Sequence, residues 1–375
     1  MNRMNWRFLA ILALALALVA AACGGDDDET ATTEASGGTE TTAAASGGDD
    51  GETLKVAFVH VGPVADKGWS WAHDQGAEYL KANANVEVTT LESIPEGSDS
   101  QRVFEDLAAD GNMLIFGTSF GYMEPMLAAA ANYPDVAFMH ATGFMSGENM
   151  GNYFGAAEEG RYLSGMASGA ATETNLVGYV AAFPIPEVLR GINAFTLGVR
   201  EVNPDAQVQV VWTSTWFDPP KEGTAAQSLL DAGADVIAMH QDSAAPGQTA
   251  EAAGAKWSGY NTDMTEFAPT AWLTAPIWDW GPFYLAQAEA VAAGTWAPTN
   301  YYGNMADGMV ALAPFGESVS ADTIALIEER QAQIIDGSFT VLPDPIVDQD
   351  GNERALGDIF IMDYFVEGVI GSPTG

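Results

Sequence analysis

From about residue 53 the chain alternates short apolar runs, each ending in turn residues, with longer stretches of helical spacing. "LKVAFVHV" (54–61), "VEVTTLES" (86–93), "MLIFGTS" (113–119) and "VAFMHATG" (136–143) read as strands, rich in Val, Phe and Ile. Between them lie "WAHDQGAEYLKAN", "DSQRVFEDLAADG" and "MEPMLAAAANYP", each with helical spacing and a Gly, Asn or Pro stop. The rhythm restarts after "EEGRYLSGMASGAATETN". A second set follows: "LVGYVAAF", "AQVQVVWT", "DVIAMHQ" and "AKWSGYN", separated by three further helical stretches. Strand, helix, strand in strict alternation predicts parallel sheets flanked by helices. Two such sets predict two α/β lobes. Lobe 1 is expected over 53–173 with about 281–320, and lobe 2 over 174–280 with about 321–375. Ligands of open parallel sheets sit at strand carboxyl ends, so the cleft between the lobes is the expected site.

The N-terminus breaks this pattern. "MNRMNWRFLAILALALALVAAAC" carries Arg3 and Arg7, then an apolar run, then small residues up to Cys23. That is the layout of a signal peptide over residues 1–22. No later apolar stretch approaches the roughly 20 residues that a bilayer-spanning helix needs. Cys23 is the only cysteine, which rules out an internal disulfide or a thiolate metal site. Its place after Ala20, Ala21 and Ala22 resembles a lipoprotein acylation site, so Cys23 is the expected lipid anchor to the membrane. The following "GGDDDETATTEASGGTETTAAASGGDDGE" has no aromatic or long aliphatic residue and reads as a disordered acidic tether over 23–52.

Charge narrows the partners. Thirteen basic residues stand against 51 acidic ones, a formal net charge of −38. Such a surface repels polyanions, so nucleic acid is excluded as a partner. Neutral or cationic small molecules remain.

Catalytic and cofactor motifs are thin. "GTSFG", Gly117 to Gly121, matches the nucleophile-elbow pattern G-x-S-x-G and would make Ser119 a hydrolase nucleophile. A triad would also want a late histidine, yet His240 is the last of four. The histidines show no metal-ligand spacing and no phosphate loop is present, so neither metal nor cofactor is expected. His60, His140 and His240 do fall at or near predicted strand ends, where ligand contacts arise.

Aromatic residues carry more. Trp69 and Trp71 follow the first strand, Phe120 follows the third, Trp216 follows "VQVVWTST", and Trp278 and Trp280 lie in "WLTAPIWDWG". Aromatics beyond strand ends, one set on each lobe, suit a flat ring held between them. Asp66, Asp242, Asn261 and Asp263 stand nearby as candidate edge contacts.

These residues bring a resemblance. "ADKGWSWAHDQG", "NYFGAAEEGRYLSG", "WFDPPKEGTAAQSLLDAGADVIAMHQDS", "LTAPIWDWGPFY" and "NMADGMVALAPF" resemble, in order, the basic membrane protein family of ABC-importer receptor lipoproteins, which take purine nucleosides. The resemblance implies the type I periplasmic-binding-protein fold, two α/β lobes joined by three crossovers, and an ABC permease as partner. It implies that Trp69 and Trp216 sandwich the ligand, with Asp66 as an edge contact. Nucleoside-binding members carry a ribose-gripping Lys where this chain has Trp278, although the upstream Asp263 is retained. That departure implies a bare purine base such as adenine. The alternatives are a nucleoside receptor with a rearranged ribose pocket, a Ser119-dependent secreted hydrolase, and a ligand sensor feeding a signalling partner.

Overall fold

The computed structural model describes residues 53–375. The expected signal peptide, Cys23 and tether lie outside the described residues.

Five strands come first: β1 (Leu54–Val59), β2 (Val86–Leu91), β3 (Leu114–Gly117), β4 (Ala137–Ala141) and β5 (Met150–Gly155). Four more follow: β6 (Leu176–Ala181), β7 (Gln207–Trp212), β8 (Val236–His240) and β9 (Lys256–Ser258). The remainder are β10 (Pro276–Trp278), β11 (Asn300–Gly303), β12 (Val310–Leu312), β13 (Ile346–Val347), β14 (Glu353–Arg354) and β15 (Val369–Ile370). β3, β4, β5 and β8 are buried along their whole length, which is why β3, β4 and β8 read as mostly apolar runs rather than alternating ones.

The strands form two parallel sheets. One runs β11-β5-β4-β3-β1-β2 and the other β15-β7-β6-β8-β9. Each therefore has a switch point, between β1 and β3 in the first lobe and between β6 and β8 in the second. Helices α1 (Trp69–Asn83), α2 (Ser98–Ala109) and α3 (Met123–Asn132) connect the strands of the first lobe. α4 (Ala157–Ala171) leads into the second lobe, where α5 (Pro186–Val202), α6 (Pro219–Asp231) and α7 (Ala245–Ala252) do the same. α8 (Gly281–Ala292) packs on α1, and α9 (Ala321–Ile335) packs on α4. Because β11 joins the first sheet and β15 the second, the chain crosses between lobes three times. This is the two-lobed type I periplasmic-binding-protein architecture.

Candidate ligand-binding site

The chain leaves β1, makes a single 3-10 turn over Val64–Asp66, and enters α1 at Trp69. A helix start exposes backbone N–H groups that need partners. Asp66 supplies them: its carboxylate accepts from the N–H of Gly68 at 2.7 Å and from those of Ser70 and Trp71 at 3.0 Å each. Trp69 is thereby fixed in the first turn, and its Nε1 donates to the Thr118 carbonyl just past β3 at 2.6 Å. Behind the indole stand His73, edge-on at 4.2 Å, and Trp280, edge-on at 5.8 Å.

The second lobe answers from its own strand ends. Trp216 follows β7, packs on Phe183 at 5.0 Å, and donates Nε1–H to Glu96 Oε2 of the first lobe at 3.4 Å. Glu96 is held in turn by Ser119 Oγ at 2.6 Å and the Gly121 N–H at 2.7 Å. Glu187 sits in the first turn of α5, His240 ends β8, Asp242 lies two residues on, and Tyr260 follows β9.

Between them is a tight cavity of about 20 Å³, room for little more than a water molecule. Val61, Trp69, Ser119, Phe120 and Thr142 wall it from the first lobe, and Glu187, Trp216, His240, Asp242 and Tyr260 from the second. The lobes are closed on it. Thr262 Oγ1 donates to the Lys67 carbonyl, and Gly68 lies so near Asp242 that a β-carbon would overlap the Asp242 carbonyl.

Burial sets the protonation states. It pushes Glu187 up to about 7, against the Arg190 guanidinium, the Thr142 hydroxyl and Arg161, which pull the other way. It also raises Asp66 and Asp242, and each carboxylate repels the other across the cleft. Asp66, with three backbone donors, reaches only about 6, whereas Asp242, with one donor in Asn261 Nδ2 at 3.2 Å, lies well above the usual range. His240 is held far below its usual range, by burial first and by Arg161 and Arg190 second, and is neutral. Glu187 Oε2, His240 Nδ1 and the Tyr260 hydroxyl are buried without a hydrogen-bond partner. Unpaired buried polar atoms are costly, so these are sites for a ligand's own polar edge.

Of the residues singled out from sequence, Trp69, Phe120, Trp216 and Asp242 meet on the cavity wall. Asn261 stands one step behind, linking Trp278 Nε1 (2.9 Å) to Asp242. Trp278 stacks on Trp280 at 4.8 Å and is not a wall residue. Asp66 spends its carboxylate on the α1 backbone, and Asp263 is exposed, accepting from Thr265. Ser119 Oγ points to Glu96, and among the described residues no histidine hydrogen-bonds it; His140 Nε2 instead meets the Ser119 carbonyl at 2.8 Å. Glu187, Thr142 and Tyr260 were not picked out from sequence. The available signal for Glu187 was its place just beyond β6, where it looks like an ordinary helix N-terminal carboxylate.

Residues 53–340 match the family model of "ABC transporter substrate-binding protein PnrA-like". A purine-binding protein of Brucella abortus is 43% identical over 304 residues, covering 80% of this chain and 87% of its own length. A Haloferax volcanii protein, whose name assigns it to glucose binding in an ABC transporter, is 43% identical over 322 residues, covering 86% and 82%. Among solved structures, a solute-binding protein of Aeropyrum pernix matches with a TM-score of 0.68 at 19% identity, covering 78% of this chain and 94% of that one. Substrate-binding proteins of ABC importers take up a small molecule outside the cytoplasm and pass it to a membrane permease. The chain belongs to the Bmp family of PnrA-like ABC transporter substrate-binding proteins.

Proposed function

We propose that the protein is a lipid-anchored receptor for a free purine base, tethered through Cys23 and delivering its ligand to an importer. The observation that carries this reading is the cavity itself. Indoles from both lobes wall it, with carboxyl groups and a neutral histidine as its polar features. No lysine or arginine is among its wall residues. A ribose brings three hydroxyls, and each left unpaired costs about 1–3 kcal/mol. A bare base avoids that cost. When protonated, the Glu187 carboxyl offers a donor beside an acceptor, which matches the paired acceptor and N–H donor on an adenine edge.

The test is a side-by-side titration of adenine, adenosine, guanine, guanosine and glucose, after native mass spectrometry of the gently purified protein. Adenine is expected to bind at least tenfold more tightly than adenosine, a gap of about 1.4 kcal/mol. Tighter binding of a nucleoside would replace this reading with the nucleoside receptor. Tight binding of glucose alone would replace it with the specificity named for the Haloferax relative. Anchoring through Cys23 is checked by mass spectrometry of the mature N-terminus, where an acylated cysteine is expected and an unmodified one removes the anchor.

A further inference from the structure

Arg161 stands in the second turn of α4, where the chain enters the second lobe, and it is only 1% exposed. Its Nη1 donates to the Met239 carbonyl near the end of β8 at 2.7 Å. Its Nε and Nη2 have no hydrogen-bond partner, and among the described residues Arg161 forms no ion pair. Arg190, the buried arginine of α5, is the contrast. Glu158 pairs with it at 3.2 Å, and the Ile359 carbonyl accepts from its Nη1 at 2.9 Å.

A buried cation without a carboxylate against it is costly, because the charge gives up its hydration and gains little in return. Packing alone does not call for it, since an unbranched apolar side chain would fill much of the same space without that cost. Such a charge points to function where it stands beside a site, and Arg161 does. Its guanidinium carbon lies 3.4 Å from the centre of the Tyr260 ring, and Tyr260 is a wall residue of the cavity.

Tyr260 is the group through which that charge can act. Its ring is held by Arg161 and by His240, whose ring centre is 4.5 Å away, and its hydroxyl is buried without a partner. A cation over the face of a phenol draws electron density from the ring, which makes the O–H a stronger donor. Burial raises the Tyr260 phenol above its ordinary range while Arg161 pulls the other way, so the hydroxyl keeps its proton.

Resting on the reading of this cavity as the ligand site, we propose that the Tyr260 hydroxyl donates to an acceptor atom of the ligand. Arg161 is its positioning residue, holding the ring from behind and strengthening the O–H as a donor. The site thus selects ligands that turn a ring nitrogen or an oxygen toward Tyr260, rather than an amino group.

A double-mutant cycle tests it. Adenine is titrated against the wild type, Tyr260→Phe, Arg161→Met and the double variant. Tyr260→Phe removes the hydroxyl, keeps the ring, and is expected to weaken binding at least tenfold. Arg161→Met is expected to weaken binding at least tenfold when Tyr260 is present and less than threefold beside Tyr260→Phe, where its route to the ligand is gone. Equal weakening in both backgrounds makes Arg161 a packing residue and overturns the proposal, as does unchanged affinity in Tyr260→Phe. Thermal melting of the ligand-free proteins gives a second readout. Losing a bare buried charge is expected to leave the melting temperature of Arg161→Met unchanged or higher, and a lower one would show the guanidinium serving the fold instead. If adenine does not bind the wild type, the purine reading falls, and the cycle is run with whichever of adenosine, guanine, guanosine and glucose does bind. Each of these carries acceptor atoms, so the same coupling is expected. Absent coupling strikes this inference and leaves the purine reading standing.

Discussion

Trp69 and Trp216 reach the cavity by different restraints, and their substitutions should differ accordingly. Trp69 is clamped within one lobe by its bond to the Thr118 carbonyl, while Trp216 is clamped across the cleft by Glu96. Trp69→Ala and Trp216→Ala are each expected to weaken ligand binding by about 2 kcal/mol or more, as lost aromatic anchors do. Trp216→Phe keeps a flat surface and loses only the N–H, so its loss should be smaller. Calorimetric titration reads all three, and an unchanged affinity removes that residue from the site. Glu187 makes a sharper case. Its proton is held up to about 7 in the closed protein, so adenine affinity should fall as pH rises through 7. Glu187→Gln fixes a donor beside an acceptor at every pH, and its affinity should fall less steeply from pH 6 to 8 than that of the wild type; a parallel fall in both proteins would refute the role. The aromatic wall was legible because an indole just past a strand end has few other uses. Glu187 was not, because position alone does not separate a ligand contact from a charge that favours a helix start. Asp66 illustrates the converse: a carboxylate beside the site whose oxygens are taken by the α1 backbone.

At the scale of elements, the strand ends and helix starts are one device, since each cavity residue stands where a strand gives way to a turn or helix. α1 depends on Asp66 for three N–H partners, and Trp69 is its first residue. Asp66→Ala should therefore lower stability by about 0.5–2 kcal/mol, the usual cost of a lost cap, and loosen Trp69 as well. Denaturant titration gives the first number and ligand titration the second. A stability loss with unchanged affinity would show that Thr118 alone holds the indole. Most of both sheets was legible in the alternation of apolar runs with helical spacing. β5, "MGNYFG", was not, since two glycines and an asparagine lower strand propensity, and only burial between β4 and β11 makes it a strand. The two-residue strands β13 and β14 and the three-residue β10 and β12 are too short to show a period at all.

At the scale of the molecule, the closed cleft buries several acids together, and this couples lobe closure to pH. Asp66 and Asp242 repel each other across the cleft, and Glu187 and Glu222 also raise Asp242. Around Glu187 stand Arg190, Arg161 and Glu96, with His240 neutral beside it. In an open cleft these carboxyls return toward ordinary values near about 4. The closed, ligand-free form therefore binds more protons than the open one. Its advantage is fully present below the open-state values and is lost as pH rises through about 6 for Asp66 and about 7 for Glu187. A bound ligand adds contacts to both lobes that only the closed form makes, so the bound form should stay closed. Small-angle scattering of the ligand-free protein should show a larger radius of gyration at pH 8 than at pH 5, and no such change with ligand. General repulsion among the protein's many surface acids would open the cleft in the same direction. The double variant Glu187→Gln, Asp242→Asn separates the two causes, because it removes two of the cleft acids and leaves the surface as it was. Expansion should be reduced in that variant; undiminished expansion would assign the effect to the surface and remove the cleft acids from the mechanism. Gly68→Ala supplies the steric counterpart. Its β-carbon would overlap the Asp242 carbonyl only when the lobes are shut, so this variant should remain expanded at pH 5 and bind ligand at least tenfold more weakly, with the folded lobes intact by circular dichroism.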